Sequence, residues 1–252
     1  MWIIWIFILA FAGLIIGWFC TKIIWQYPQK RNIFHALKCN SCLNSLKSVY
    51  QIPIIGFLLA KGKCSNCKSN IPLYMLIIPI ITPLLLILLF LKFHFSVLFF
   101  QFSVLSIAGI LIFYLDIYHR IIPDIITYPM IIIALVLSFF NNLGFWNAMI
   151  GLAFGAGIFI LIAFIFRLIT KRDGLGGGDI KLIAMIGLSL GFQLTFFTIF
   201  LSSVMGVILY AFSKIRHNVL IPFGSFIVLA MFVGIMTGNE LIKLYLGIWG
   251  IQ

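Results

Sequence analysis

Residues 96–124 read SVLFFQFSVLSIAGILIFYLDIYHRIIPD, and this stretch decides the fold class. Its first part, Ser96–Leu115, contains no charged side chain and is long enough to cross about 30 Å of hydrocarbon as a helix. Two aspartates, Asp116 and Asp124, follow directly. A carboxylate at the edge of a membrane span is energetically costly, and such residues are usually functional. The stretch therefore predicts a membrane helix that carries an acid to the membrane surface.

Similar apolar segments recur along the chain, which is 63% hydrophobic and only 9% charged, with a mean hydropathy of +1.22. A soluble domain has about a quarter of its residues charged. Outer-membrane strands alternate apolar and polar residues, and these segments do not. We therefore predict an all-α polytopic membrane protein with about eight transmembrane helices. The candidate spans are Ile3–Phe19, Pro72–Leu91, Ser96–Leu115, Ile125–Phe140, Trp146–Phe166, Leu182–Phe192, Thr195–Phe212 and Leu220–Thr237.

Two of these spans need comment. The first has neither a basic region before it nor a small-residue cleavage site after it, so we interpret it as a retained span and not as a signal peptide. The sixth, Leu182–Phe192, is too short to cross alone, so it either begins in the glycine-rich segment before it or crosses in part. The polar insert between the first two spans predicts a division of the chain into residues 1–20, 21–71 and 72–252.

The basic residues predict the orientation of the chain in the membrane. Of the 17 Lys and Arg residues, all except Lys92 and Lys243 fall on one side if the N-terminus faces away from the cytoplasm. Cytoplasmic loops carry the excess of basic residues, so we predict this orientation. The net charge of +12 also invites a nucleic-acid interpretation. We reject it because the basic residues are spread over several short loops, and we expect a lipid bilayer and no nucleic acid as partner.

Four of the five cysteines form two C-x-x-C pairs in the polar insert, Cys39 with Cys42 and Cys64 with Cys67. Each pair lets two thiolates approach one metal ion, and the loop between the pairs can close a tetrahedral site. A cytosolic location argues against disulfides. We predict a structural Zn²⁺ in a small cytoplasmic domain, because four thiolates leave no position for a reacting water. Two unrelated pairs of free thiols are the alternative.

The chain has only five acidic residues, and its four aspartates lie in two short stretches. In the first stretch, Asp116 is the candidate catalytic acid, and the alternative is that it marks the membrane interface and pairs with Arg120. Asp124 follows a proline and precedes an apolar run, which is a helix-start signal. We therefore expect Asp124 to be the N-cap of a helix and to support the site.

The second stretch places Gly176, Gly177 and Gly178 directly before Asp179 at the entrance of a span. Glycines leave room for other backbone or for substrate. Open backbone at membrane depth is tolerated only where it lines protein or a watery cavity, so we predict that Asp179 faces a wet pocket. The three glycines and Lys181 are expected to support it. An N-capping Asp179 in a flexible loop is the alternative, and Asp173 is interpreted as an ordinary solvated acid.

Two carboxyl groups that share a site ionise unequally, so one can take a proton from water while the other polarises the carbonyl group of a substrate. Asp116 and Asp179 are therefore predicted to form a catalytic pair for peptide hydrolysis without a covalent intermediate. Nucleophilic schemes find little support, because no serine lies in a nucleophile-elbow motif and the paired cysteines are assigned to metal.

The order of these features resembles the type IV prepilin peptidases, also called prepilin leader peptidase/N-methyltransferases. The matching features are the first span, the two C-x-x-C pairs, the stretch from Asp116 to Asp124, and Gly176–Lys181. The resemblance implies that Asp116 and Asp179 are catalytic and that residues 72–252 form an aspartic peptidase domain in the bacterial inner membrane, with the N-terminus in the periplasm. It implies that the substrates are type IV prepilins or pseudopilins, whose basic leader is removed on the cytoplasmic side. Many members then methylate the new N-terminus with S-adenosylmethionine.

The chain departs from the family pattern where members often carry R-Y-P-L-V-E after the second cysteine pair. Here Leu73–Ile78 reads LYMLII, so Ile78 stands where the glutamate is expected, which weakens the case for methyl transfer more than that for proteolysis. A peptidase without methyltransferase activity is therefore one alternative. The others are a polytopic transporter or channel, in which intramembrane acids and glycine-broken helices also occur, and a zinc-stabilised membrane scaffold without chemistry. The sequence does not determine the oligomeric state.

Overall fold

The computed structural model describes residues 2–46, 52–172, 174, 176–212, 222–238 and 240–241. Within these residues the chain is helical, and extended pairing is limited to two isolated bridges, Lys38 with Ser45 and Lys63 with Asn70. The predicted all-α class is confirmed. The helices are α1 Trp2–Gln26, α2 Ile55–Leu59, α3 Tyr74–Phe93, α4 Val97–His119, α5 Asp124–Ser138, α6 Phe145–Thr170, α7 Gly177–Phe212 and α8 Phe223–Val233.

Five of these helices, α1, α3, α4, α6 and α7, are long and apolar enough to cross a membrane. Helix α5 and the segment Phe223–Gly238, in which a π-helical turn continues α8, are shorter and also apolar. Each predicted span lies on one of these helices, and α7 carries two of them. Residues outside the described part of the chain include Leu220, at the start of the last predicted span, and Lys47, Asp173, Lys214, Arg216 and Lys243.

The chain folds into two compact units, Met1–His94 and Phe95–Gln252. The first contains α1 to α3 and the cysteine pairs, and the second contains α4 to α8 and all the acidic residues. The expected division at residues 20 and 71 stays a prediction.

Helix α7 reverses direction at Gly191, whose φ of 74° and ψ of −178° are not helical. A Cβ atom added at Gly155 of α6 would lie 3.1 Å from both the Ile183 carbonyl oxygen and the Thr195 Cγ2. A straight helix would separate residues 183 and 195 by about 18 Å, so the two arms must fold back toward the same helix. The arms correspond to the predicted sixth and seventh spans. The sixth gains length because its helix begins at Gly177, within the glycine-rich segment, and not at Leu182.

Polar side chains, of which Gln101 and Asn141 are buried, form hydrogen bonds at this reversal. The Asn147 Oδ1 accepts from the Phe192 N–H at 3.1 Å, on the far side of the break. The Gln101 Nε2 donates to the Ser189 carbonyl at 2.9 Å, and the Asn141 Nδ2 donates to the Gln101 Oε1 at 2.6 Å. Backbone polar groups in hydrocarbon need partners from the protein itself, so this network lets a helix turn inside an apolar bundle.

Glycines set the close approach of α6 and α7. Gly151 and Gly155 on α6 are spaced four residues apart, and Gly187 on α7 faces Gly151. A Cβ atom at Gly151 would overlap the Gly187 carbonyl oxygen, and one at Gly187 would overlap the Gly151 carbonyl oxygen. Small residues at this spacing let membrane helices approach closely enough for backbone contact. The two helices therefore pack backbone against backbone at this crossing.

Glycines also set a close helix contact in the first unit, where they face prolines. Gly13 and Gly17 of α1 face two prolines of α3, Pro83 and Pro79. A Cβ atom at Gly17 would lie 2.8 Å from the Pro79 Cα, and one at Gly13 would overlap Pro83. Each proline lacks a backbone N–H and so removes one hydrogen bond from α3 where the glycines lie against it. The four residues fix the pairing of α1 with α3.

We expect Gly151→Ala to destabilise the second unit, because the added methyl group meets backbone that no rotamer change can move. Overpacking of this kind costs about 1–3 kcal/mol, which should appear as a lower melting temperature of the detergent-purified protein. Gly157→Ala is the matched control on the same helix, because nothing lies within 4 Å of a Cβ at that position. Equal melting temperatures for the two variants would contradict the proposed close packing.

Candidate active site and metal centre

The carboxyl group of Asp116 lies in the last turn of α4 and is bonded to the start of α8. Its side chain is only 6% exposed. The Asp116 Oδ2 accepts two hydrogen bonds from Ser225, one from the backbone N–H at 2.7 Å and one from the hydroxyl group at 2.9 Å. Ser225 is in the first turn of α8, where backbone N–H groups are free and the helix dipole favours an anion. Sequence reasoning missed this partner, because 109 residues separate the two.

The carboxyl group of Asp179 lies in the first turn of α7 and is half-buried. Its backbone N–H donates to the Gly176 carbonyl at 3.0 Å, which closes the turn that starts the helix. A Cβ atom at Gly176 would lie 3.2 Å from the Asp179 Oδ2, whereas one at Gly177 would meet nothing within 4 Å. Gly176 therefore gives space to the carboxylate, and Gly177 leaves open backbone beside it.

The structure brings the two aspartates to the same place. Ile122 packs against the glycines that adjoin the two aspartates. A Cβ atom added at Gly178 would lie 3.0 Å from the Ile122 Cβ, and one added at Gly224 would lie 2.9 Å from the Ile122 Cδ1. That Gly224 Cβ would also lie 3.0 Å from the Asp116 Oδ2, and the charge of Asp116 acts electrostatically on Asp179. Asp116 at the end of α4 and Asp179 at the start of α7 are 63 positions apart (179 minus 116), and both therefore lie beside Ile122.

Asp124 and Lys181 form an ion pair beside this site, with 2.7 Å between the Lys181 Nζ and the Asp124 Oδ1. The Lys181 ammonium group also lies over the Tyr128 ring, 5.1 Å from its centroid. The prediction that Asp124 is the N-cap is wrong: Pro123 is the N-cap, and Asp124 is the first residue of α5. Its side chain reaches across to α7 instead. Both partners are partly exposed, so the pair holds the starts of α5 and α7 together only weakly.

The four paired cysteines converge in the first unit, with all their sulfur atoms within 4.8 Å of one another. The Cys39 and Cys67 sulfurs are 3.7 Å apart, and the Cys42 and Cys64 sulfurs are 3.9 Å apart. Thiolates around one tetrahedral zinc ion, each at about 2.3 Å, are about 3.8 Å from each other. The donor set and its spacing therefore fit zinc.

The two cysteine pairs have the same local backbone. In the first, the Leu43 N–H donates to the Cys39 carbonyl at 3.1 Å, and in the second, the Lys68 N–H donates to the Cys64 carbonyl at 3.0 Å. Leu43 and Lys68 adopt the left-handed conformation, with φ of 60° and 58°. Glycine usually occupies such positions, so these turns persist against a local conformational cost. The repeated Lys-Cys-x-x-Cys marks the duplication in the sequence, but the left-handed turns were not visible there, because neither has the glycine that would mark it.

Ser69 lies between two of the thiols, with its hydroxyl oxygen 3.1 Å from the Cys67 sulfur and 3.3 Å from the Cys39 sulfur. Hydrogen bonds from the Ser69 hydroxyl group and from its backbone N–H lower the pKa of the Cys67 thiol. A lower thiol pKa favours the thiolate, which is the form that binds metal. The Trp25 Nε1 donates to the Lys38 carbonyl at 2.7 Å, which connects the first cysteine pair to the end of α1.

Comparison with known proteins finds two family models and several named relatives that are similar to this chain. The model of the Type IV leader peptidase family matches residues 103–211, and the model of the Bacterial Peptidase A24 N-terminal domain matches residues 11–93. Similar proteins named prepilin leader peptidase/N-methyltransferase include one from Pseudomonas aeruginosa, 28% identical over 85% of this chain and 76% of the relative. Those from Vibrio cholerae and Neisseria gonorrhoeae are 27% and 24% identical, over 91% and 92% of this chain and 96% and 90% of the relatives. No solved structure matches the chain.

We expect the purified protein to contain about one zinc ion per chain, because the four thiolates leave room for one tetrahedral ion. Cys64→Ser should lose that zinc, since Cys64 is a buried member of the cluster. Cys20→Ala is the matched control, because Cys20 is equally buried but lies in α1 outside the cluster. Elemental analysis of detergent-purified samples measures both. Full zinc content in Cys64→Ser would refute the four-thiolate site.

Proposed function

The chain belongs to the type IV leader peptidase family, and from this premise we propose that Asp116 and Asp179 are the catalytic pair of a prepilin peptidase. The proposed reaction removes the basic leader from type IV prepilins or pseudopilins at the cytoplasmic face of the bacterial inner membrane. The observation that supports it best is the meeting of the two carboxyl groups around Ile122, at adjoining ends of α4 and α7. The chain has few other acids from which such a pair could be built.

The pair would act as acid and base on a water molecule. The ionised carboxylate takes one proton from water, and the water oxygen adds to the carbonyl carbon of the scissile bond. The protonated carboxyl group gives its proton to the carbonyl oxygen, so the intermediate is a neutral diol. The first carboxyl group then donates its proton to the amide nitrogen as the C–N bond breaks, and the second carboxylate takes a proton from one hydroxyl group of the diol, so that both aspartates return to their starting states. The products are the leader with a free carboxyl end and the pilin with a free amino end.

The glycines before Asp179 support access for an extended substrate. Gly177 leaves open space next to the carboxylate, and a peptide bond must be extended and unshielded for water to reach its carbonyl carbon. The protein carries a net charge of +12, so it repels a basic leader at long range. Recognition is therefore assigned to the apolar pilin segment.

Several membrane helices make the chain a multi-pass membrane protein, and the relatives it matches are bacterial prepilin peptidases. We propose that the N-terminus is periplasmic and that Asp116 and Asp179 face the cytoplasm. The support is the distribution of basic residues, which is the strongest sequence signal of orientation. The basic cytoplasmic surface would also hold the protein against anionic lipids.

A second activity, methylation of the new N-terminus, is proposed from the names of the relatives, which include N-methyltransferase. S-adenosylmethionine would supply the methyl group when bound. The first unit has a pocket of about 390 Å³ lined by Gln26, Arg31, Asn32, His35, Ala36 and Lys38. Among the described residues, the buried Arg31 Nη1 and Gln26 Oε1 have no hydrogen-bond partner. No acidic residue occurs before Asp116, so nothing within the first unit can neutralise this guanidinium group.

These free groups fit the amino-acid end of S-adenosylmethionine. A carboxylate is the natural partner of a buried guanidinium group, and an ammonium group is a donor for the Gln26 oxygen. The pocket volume is that of a small-molecule site. Ile78, which stands where relatives often have a glutamate, is fully buried in α3 and supplies no polar group.

The rival functions make different predictions. A transporter or channel would move ions or solutes in proteoliposomes without cutting a peptide, and a scaffold would do neither. A peptidase without methyltransferase activity would leave an unmethylated amino end, which mass spectrometry of the mature pilin detects. No observation on the described residues favours the transporter or the scaffold over the peptidase.

Asp116→Asn and Asp179→Asn are each expected to lower the rate of leader removal by at least about 100-fold, since each removes one partner of the acid–base pair. Asp124→Asn is the matched control, because it changes a nearby exposed aspartate that does not join the pair, and we expect near-normal cleavage. The leader's loss from a co-expressed prepilin, seen as a size shift on a gel, measures all three. Complete processing by either of the first two variants would rule out the mechanism.

Arg31→Gln is expected to weaken binding of S-adenosylmethionine by roughly 10-fold or more, because a charge-assisted hydrogen bond is lost. Lys30→Gln is the control, since it removes an adjacent exposed charge. Equilibrium binding of radiolabelled S-adenosylmethionine to purified protein gives the affinities. Unchanged affinity in Arg31→Gln would exclude this pocket, and the absence of binding to the unmodified protein would leave the peptidase alone.

A further inference from the structure

We propose that Ser225 is a positioning residue for the peptidase reaction: it holds the Oδ2 atom of Asp116, so that Oδ1 is the atom that takes the proton from water. The inference rests on the proposed catalytic role of Asp116. It adds a residue that neither the motifs nor the comparisons identify, and it assigns different roles to the two aspartates.

The first support is that both donors of Ser225 meet the same oxygen. The backbone N–H and the hydroxyl group reach the Asp116 Oδ2 at 2.7 Å and 2.9 Å, and the whole contact is buried. Hydrogen bonds to a charged acceptor are roughly twice as strong as those between neutral groups. With Oδ2 engaged twice, the free lone pairs for an incoming water are those of Oδ1.

The second support is the position of Ser225 in its helix. It is the third residue of α8, which begins at Phe223 after Pro222. Its N–H is therefore one of those without an intrahelical partner, and the helix dipole adds partial positive charge there. Arg120, one turn beyond Asp116, contributes a further positive charge acting on Asp116. These donors and charges favour the ionised form of Asp116 and oppose the cost of burying its charge.

The surroundings of Asp179 differ. Among the described residues, no side chain donates a hydrogen bond to its carboxyl group, and its near neighbour is the backbone of Gly176. Asp179 is also subject to the negative charge of Asp116. When two acids share one proton, the proton stays on the acid whose ionised form receives fewer hydrogen bonds. Asp116 is thus the base and Asp179 the acid of the first step.

The Ser225 hydroxyl group has a second acceptor, which suits a base that changes charge during the reaction. Its oxygen lies 3.2 Å from the Phe113 carbonyl oxygen, one turn before Asp116 on α4. A hydroxyl group has one proton, so it donates to Oδ2 while Asp116 is ionised and can turn to Phe113 when Asp116 carries a proton on Oδ1. The backbone N–H keeps its bond in both states, and the carboxyl group stays in place.

Gly224 makes this approach possible. A Cβ atom at that position would lie 2.9 Å from the Ile122 Cδ1 and 3.0 Å from the Asp116 Oδ2. Any side chain there would push the start of α8 away from the carboxylate. Gly224→Ala therefore perturbs the same contact while leaving Ser225 itself unchanged.

The test is the rate of leader removal by the full-length protein in detergent, measured over a range of prepilin concentrations. We expect Ser225→Ala to lower kcat by about 10-fold with KM unchanged, because one charge-assisted bond is lost and the N–H bond remains. Ser225→Thr should restore most of kcat, since threonine keeps the hydroxyl group. The control is Ser203→Ala, which removes a hydroxyl group that bonds only to its own helix at Ile199.

Gly224→Ala provides a second route, and we expect it to lower kcat as Ser225→Ala does. Gly206→Ala is its control, because a Cβ there would meet only Phe223 at an ordinary 3.8 Å. The inference is overturned if Ser225→Ala or Gly224→Ala matches the unmodified kcat, or if Thr and Ala at position 225 are equally slow. The aspartate variants separate the two proposals: normal cleavage by Ser225→Ala beside inactive Asp116→Asn removes only the positioning role. An active Asp116→Asn removes the proposed function itself.

Discussion

A buried carboxylate near hydrocarbon has little water to solvate it, so the protein must supply hydrogen bonds to the charge. In the second unit this constraint joins elements that are distant in sequence. The start of α8 supplies the donors for Asp116 at the end of α4, and Ile122 fills the space between the two glycines beside the acids. The polar contact fixes α8 against α4, and the apolar one fixes α7 against both. The contacts that surround the proposed catalytic pair therefore also help to pack α4, α7 and α8 together.

The same constraint explains the interior of the bundle far from the acids. The reversal at Gly191 is accompanied by hydrogen bonds of Gln101, Asn141 and Asn147. Polar side chains inside an apolar bundle are costly unless they have hydrogen-bond partners. Glycines then let α6 approach the backbone of both arms of α7, because small residues are the means by which membrane helices approach closely. Polar residues and glycines thus make the turn possible together, and neither would suffice alone.

The sequence predicted the elements of this structure well because long apolar runs and isolated acids are strong local signals. The apolar helices, the cysteine cluster and the nearness of Asp116 to Asp179 could be expected in this way. The contact of Asp116 with Ser225 could not, because it depends on how two helices pack and no local pattern marks it. Asp124 was misplaced as an N-cap for a similar reason: its carboxylate has a better partner in Lys181, which only the folded chain brings near. The turns at Leu43 and Lys68 were hidden because the residues that adopt them are not glycines.

The distribution of charge separates the chemistry of the two units. Residues before Asp116 include no acid, so the first unit offers thiolates and cationic side chains but no carboxylate. Its four paired thiols fit a metal ion such as zinc. In the second unit, Asp124 is paired with Lys181, whereas Asp116 is held by the uncharged donors of Ser225. Uncharged donors leave Asp116 free to exchange a proton, as the proposed reaction requires, whereas a cation in direct contact would hold it ionised. The use of a serine and a helix terminus in place of a lysine or arginine thus suits a carboxylate that must both take and return a proton.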